Sequence, residues 1–323
     1  MGNIREIAKE AGVSVTTASR VLNHHPYVSV EKRQAVWAAV ERLNYTKNVN
    51  AVHLSNGKTN SVGVVLPFLN LPYYGEWLHG IAEEALKYGT SLQVFQTNYQ
   101  KSIEIEALQK LKSRQVDGLI IASRANEWDI ISSFEEEGHI IICERIDDPQ
   151  VSTVYIDHYD VFKKGIRMLK DHGYDSIGVC IHRRFGTNSQ ERIKAYFTEC
   201  EMLQVKGREE WIFTDCYTMK DGKEIFHKWQ QLQERPSALI VTSDQVAAGI
   251  VSEARLKGIE VPGDLAILSS DNHPIAEIIN LTSIDIPVRK LGKRSFELFI
   301  ENTKGNTIIH EELDALIVKR GTV

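Results

Sequence analysis

The sequence has only four cysteines in 323 residues. Cys143, Cys180, Cys200 and Cys216 stand far apart, with no C-x-x-C pair and no cluster with histidine at metal-ligand spacing. That excludes a disulfide framework and a thiolate metal site, and leaves the four thiols as buried or incidental. No apolar run approaches the ~18 residues that a membrane helix needs, and neither a basic-then-apolar leader nor a lipidation motif is present. The expectation is a cytoplasmic protein with no membrane partner. Catalytic punctuation is missing too, since there is no G-x-G-x-x-G, G-x-x-x-x-G-K-[ST], G-x-S-x-G or H-E-x-x-H. No catalytic residue, cofactor or metal is assigned. The pair Asp147-Asp148 and the run Glu135–Glu137 read as solvated surface, not as acid/base machinery.

What is present is unevenly distributed. The formal charge of −5 hides a basic start: residues 1–60 hold eight Lys or Arg against four Asp or Glu, a balance of +4 that leaves −9 for the rest. A head of that sign suits contact with phosphate, and an acidic body keeps clear of it. The length implies two or three units, one of them with a large core.

Residues 3–23, NIREIAKEAGVSVTTASRVLN, carry the strongest local signal. Ile4, Ile7, Ala8 and Ala11 recur on one helical face, Gly12 stops that helix, and Ser14 caps the next. The second helix turns Ala18, Val21 and Leu22 toward the first and leaves Val15, Thr16, Thr17, Ser19 and Arg20 on other faces. Ser29 and Glu31 announce a third helix with Val36, Ala39, Val40 and Leu43 as its stripe. A glycine between two short amphipathic helices also occurs in ordinary helical domains. AGVSVTTASRVLN, then YVS, then LNYTKN, resembles the head of the lactose and galactose repressor family of bacterial transcription regulators, and the resemblance extends over essentially the whole chain.

From residue 61 the texture changes to short apolar runs, each followed by amphipathic sequence. SVGVVLP, SLQVFQ, GLIIAS, IIIC, SIGVC, ALIVTS and LAILSS alternate with helical stretches, one of them at about 76–88. That alternation argues for an α/β body of doubly wound parallel sheets in two lobes with a cleft between them. By the resemblance this body has the periplasmic-binding-protein fold. The resulting domains are a helix-turn-helix head over 1–47, a hinge helix and linker over 48–60, and an effector-binding and dimerisation body over 61–323. Lobe one covers about 61–157 and 289–316, and lobe two about 158–286 and 317–323, with crossings near Asp157, near Pro287 and close to a final strand at 317–319.

The resemblance also assigns DNA contacts. Val15, Thr16 and Arg20 fill the base-reading positions: Arg20 can grip a guanine bidentately and the other two offer apolar faces to thymine methyls. Thr17 shares their helix. Asn23, Ser29, Arg33, Tyr45 and Asn48 read as phosphate contacts or scaffold. Leu54 stands where the family wedges an apolar side chain into the minor groove, and an apolar residue in a polar connector fits that role. Packing of Leu54 onto the body is the alternative.

Effector residues are expected at the carboxyl ends of strands. Tyr73 and Tyr74 follow VVLP, where the family stacks an aromatic ring on its effector. Glu144 stands where the family carries Asp, Arg192 matches the arginine that grips hydroxyls or carboxylate, Ser243 replaces an Asn, and Asp271 matches the ligand-facing aspartate. Tyr217 and Trp128 are further stacking candidates. Carboxylates, an arginine and flat rings suit a polyhydroxylated ligand, so a sugar is the expected effector. The expected protein is a homodimeric, sequence-specific regulator, a repressor, on a pseudo-palindromic double-stranded DNA operator. Whether ligand releases or strengthens DNA binding stays open. A soluble sugar-binding protein without a DNA role, or an enzyme on the same fold, are the competing readings.

Overall fold

A computed structural model describes residues 3–23, 25–45, 58–148, 150–305 and 307–323. It divides into two compact units, Met1–Lys58 and Thr59–Val323. Asn48 and Leu54, with most of the expected hinge helix, lie outside the described residues.

The first unit holds three helices, α1 Ile4–Glu10, α2 Val15–Leu22 and α3 Val30–Arg42. Asn3 accepts from the N–H groups of Arg5 and Glu6, while the Glu6 carboxylate takes the Asn3 N–H in return. This reciprocal cap satisfies donors that a helix start leaves unpaired. Gly12 turns the chain at φ +63°, a conformation that costs other residues a Cβ clash. Ile7, Ala8, Ala18, Val21, Leu22, Val36 and Ala39 form the core, with Ile4, Ala11, Val40 and Leu43 packed half-buried around it. The heptad-like stripes read from sequence thus converge on one small core.

The second unit contains two six-stranded sheets. The first has the order β11-β5-β4-β3-β1-β2, built from β1 Ser61–Leu66, β2 Ser91–Gln96, β3 Gly118–Ile121, β4 His139–Ile142, β5 Ser152–Tyr155 and β11 His310–Glu312. The second has the order β12-β10-β9-β8-β6-β7, built from β6 Ile177–Cys180, β7 Ile212–Phe213, β8 Ala238–Val241, β9 Ala266–Ser270, β10 Ser283–Asp285 and β12 Leu316–Val318. All named pairs run parallel except β10 with β12. The central strands are buried on both faces, and this is why they read as unbroken apolar runs. Strand order reverses beside β1 in one sheet and beside β6 in the other. Such reversals splay the following loops apart and open a crevice at the strands' carboxyl ends.

Helices cover the sheets: α4 Pro72–Lys87, α5 Lys101–Lys112, α6 Trp128–Ser132, α7 His158–Asp171 and α8 Thr187–Met202, then α9 Met219–Gln231, α10 Asp244–Leu256, α11 Pro274–Ile278 and α12 Val288–Gly305. Helix α4 begins four residues before the expected start at 76. Proline at its first position already has helical φ and lacks only an N–H that would go unpaired there. Tyr73 and Tyr74 therefore sit in a first helical turn and not in a loop. The four cysteines are free and buried. Among the described residues no group of His, Cys, Asp and Glu is placed to hold a metal ion, and no helix is long and apolar enough to cross a membrane.

Candidate functional site

Two surfaces carry the predicted residues. On the head, Ser14 Oγ accepts the Thr17 N–H at 3.1 Å and fixes the start of α2. Apolar burial of Ala18, Val21 and Leu22 then rotates the opposite face outward, so Val15 is 43% exposed and Thr16 and Arg20 are exposed. Thr17 is half-buried, with its Oγ1 2.9 Å from Ser14 Oγ, so its hydroxyl serves the cap. Asn23 is the C-cap of α2 and Ser29 the N-cap of α3. Arg33 Nη2 donates to the His25 carbonyl at 3.1 Å, and Tyr45 packs half-buried on the head core. These last residues hold the frame on which the exposed three are displayed.

In the body, one cavity collects residues from loops after six strands: Tyr99 after β2, Ser123 after β3, His158 after β5, His182 and Arg183 after β6, Thr242 after β8 and Asp271 after β9. Tyr73 and Tyr74 enter from α4, and Asn188, Ser189 and Arg192 from α8. The space enclosed is about 50 Å³, and about 580 Å³ when the open mouth is counted. Its aromatic wall is continuous: the Tyr73 and Tyr74 rings lie 5.2 Å apart, Tyr74 Oη is 3.2 Å from Tyr99 Oη, and Tyr99 Oη donates to Ser123 Oγ at 3.5 Å.

The polar wall is electrostatically tense. Arg192 Nη2 lies 3.1 Å from His158 Nδ1, and because a guanidinium can only donate, that nitrogen is the acceptor and the ring is neutral with its proton on Nε2. Burial, then Arg192 and His182, hold His158 well below its usual pKa. Burial and Arg192 likewise bring His182 down to about 3. Burial, then the nearby Asp244, push the Asp271 carboxyl well above the usual carboxylate range, with Arg192 opposing. Asp271 also sits at φ +103°, a strained conformation worth about 1–3 kcal/mol that is typically retained where a side chain must be aimed. Arg192 Nε is buried with no hydrogen-bond partner.

Two lobes meet across this cavity. Glu144, 1% exposed behind the wall, accepts from Ser123 Oγ at 2.9 Å and from Arg124 Nε at 2.7 Å. Arg124 Nη2 then donates to Thr187 Oγ1 of the other lobe at 3.1 Å, and Arg183 Nη2 returns a bond to the Arg124 carbonyl at 2.7 Å. Arg183 also lies 3.6 Å over the Tyr99 ring. The chain thus carries a polar cleft in its α/β body and, as a separate unit, a small helical head.

A family model described as bacterial regulatory proteins, lacI family, matches residues 3–48, and one described as periplasmic binding proteins and sugar binding domain of LacI family matches residues 59–315. The chain belongs to the lacI family of bacterial regulators. It is 45% identical to the HTH-type transcriptional regulator YkvZ of Bacillus subtilis (strain 168), over 100% of both chains. It is 36% identical to the NTD biosynthesis operon regulator NtdR of the same organism, over 99% of this chain and 98% of that one. In fold it matches the lac repressor dimer bound to operator and the anti-inducer ONPF, with TM-score 0.85 and 22% identity over 99% and 98% of the two chains. The homologues are regulators, and the enzyme reading falls away.

For this lacI-family chain, the structure brings Tyr73, Tyr74, Arg192 and Asp271 into the cavity. Ser243 and Tyr217 line an adjoining crevice that shares Tyr73, His182 and Asp271 with it, and Tyr217 stacks on His182 at 5.2 Å. Two expected residues stand elsewhere. Glu144 does not line the cavity, because its longer side chain is spent on Ser123 and Arg124. Trp128 packs against the core of the first lobe's sheet and donates its Nε1–H to Asp148 at 2.8 Å, so its indole is not a stacking face for the cleft. His158, His182, Arg183, Tyr99 and Ser123 were not anticipated. Each follows a strand, and the strand-end rule applied to every strand would have found them.

Proposed function

We propose that this chain works as a homodimeric repressor that reads a pseudo-palindromic DNA operator, and that a small sugar-like effector in the cleft changes its operator affinity. The observation that carries the reading is the pairing, on one chain, of a helix-turn-helix head with Val15, Thr16 and Arg20 turned outward and a cleft whose Asp271 and Arg192 keep hydrogen-bonding capacity to spare. Tyrosine rings beside a carboxyl and a guanidinium suit the hydroxyls and C–H faces of a sugar. Among proteins of the same fold, the lac repressor was solved as a dimer on its operator and the regulator CelR with cellobiose. A ligand that bridges the lobes stabilises their closed arrangement, and operator affinity changes by the difference in its affinity for the two states. Residues 1–47 are the reading head, 48–60 the hinge with Leu54 as minor-groove wedge, and 61–323 the effector and dimer body. A cytoplasmic location is the setting in which such a regulator would meet DNA.

Operator selection from random DNA, with and without a panel of mono- and disaccharides, tests all parts together. The expected product is a two-fold symmetric site whose enrichment changes with one sugar. Recovery of no preferred sequence, or of a site without symmetry, would overturn the reading.

A further inference from the structure

Helix α8 starts at the cavity without a side-chain cap, as α4, α5, α6 and α10 also start without one. Helix α9, for comparison, is closed by a capping box between Thr218 and Asp221. Helix α8 begins at Gly186, which offers no side chain to accept its first N–H groups, and Gly186, Asn188 and Ser189 all line the cavity. Sixteen residues of aligned peptide dipoles therefore present their positive end there. A Cβ on Gly186 would lie 2.5 Å from Arg183 Nε and 3.1 Å from its Cζ, so the glycine makes room for a guanidinium laid against the helix start. Arg192, one and a half turns along α8, adds a second guanidinium with its buried, unpartnered Nε. The carboxylate that would have balanced one of these, Glu144, is turned away and held by Arg124. Both cavity histidines are neutral, and among the described residues Asp271 is the one carboxyl lining the cavity.

Building on the effector reading above, we infer that the ligand is an acidic sugar, whose carboxylate or phosphate docks at the start of α8 against Arg183 and Arg192 while its hydroxyls meet Asp271 and the tyrosines. Helix N-termini and guanidiniums both bind anionic oxygens, the first through backbone N–H groups and the second through a planar fork. Arg183 is the specificity-determining residue. It belongs to one lobe but bonds the Arg124 carbonyl and covers Tyr99 of the other, so an anion held by Arg183 also favours closure.

The test is a thermal-shift and calorimetric panel on the full chain. Glucose, galactose and ribose are each offered as the neutral sugar, the terminal phosphate and the corresponding sugar acid, with inorganic phosphate alone as a further probe. The expected result is that one acidic form binds at least tenfold tighter than its neutral parent, and phosphate against acid identifies which anion. Arg183→Gln should remove that advantage tenfold or more while leaving the melting temperature without ligand within a few degrees. Gly186→Ala, which crowds the guanidinium without removing charge, should weaken the same ligand. The inference is overturned if a neutral sugar binds as tightly as its acidic forms, if Arg183→Gln leaves acidic-sugar binding unchanged, or if no anion binds. A neutral sugar that binds and shifts operator affinity would sink the acidic ligand and leave the effector reading standing, whereas an acidic sugar that binds without altering operator affinity would do the reverse.

Discussion

His182 shows how a single residue can carry information about a whole cleft. Its imidazole stacks on Tyr217, and burial beside Arg192 holds it neutral down to about pH 3. In the unfolded chain the same ring takes up a proton near the ordinary value of about 6.5. Below that pH the unfolded state binds protons that the fold refuses, so stability falls as pH drops from about 6.5 toward about 3. Asp271 acts with the opposite sign. Its raised pKa gives stability that is fully present below the unfolded carboxylate value and is lost as pH rises through the folded one. Replacing His182 by Asn should therefore flatten the acid limb, saving about 1–2 kcal/mol of the loss between pH 7 and pH 5, as read from denaturant midpoints at both pH values. Equal losses in the two proteins would contradict the assignment. None of this was legible from the sequence, where His182 is one of eleven histidines and its burial depends on α4 and on Tyr217 arriving from distant positions.

At the scale of elements, close helix pairs define each lobe. In the first, Gly80 of α4 and Gly292 of α12 let two backbones touch: a Cβ at Gly292 would stand 2.0 Å from the Trp77 carbonyl oxygen. In the second, Gly222 of α9 and Gly249 of α10 do the same, with 2.1 Å to the Val246 and Met219 carbonyls. The contacted atoms are backbone and cannot rotate away. Gly292→Ala should therefore cost about 1–3 kcal/mol in chemical denaturation, the range of overpacking. Gly75→Ala, in the same helix α4 but with nothing within 4 Å of its Cβ, should be neutral or stabilising by up to about 1 kcal/mol. Matching losses at both sites would refute the close-contact argument. Strands were readable because burial on both faces demands unbroken apolar runs. The start of α4 lies four residues earlier than expected because PYYGE follows no polar cap, and Pro72 itself opens the helix.

For the whole molecule, charge separation is the property with the plainest consequence. The excess of +4 over residues 1–60 against −9 in the remainder directs phosphate contact to the head. Each phosphate neutralised releases a condensed counterion, so a dimer making about six to ten such contacts should lose about 10³–10⁵ in operator affinity between 50 and 200 mM salt. A filter or anisotropy titration across that range checks it, and a flat response would contradict the binding mode. The linear order of residues sufficed for the family, the helical head with Val15, Thr16 and Arg20 outward, and the α/β body, because periodicity, capping and strand-length apolar runs are local properties of the chain. It also sufficed for Arg192 and Asp271, which recognisable neighbours mark. Only the tertiary structure decided that Glu144 holds Arg124 and Trp128 faces a core, and that Arg183, His158 and His182 line the cleft. Those outcomes depend on which loops the reversal of strand order brings face to face, and on burial that shifts each group's charge once they meet.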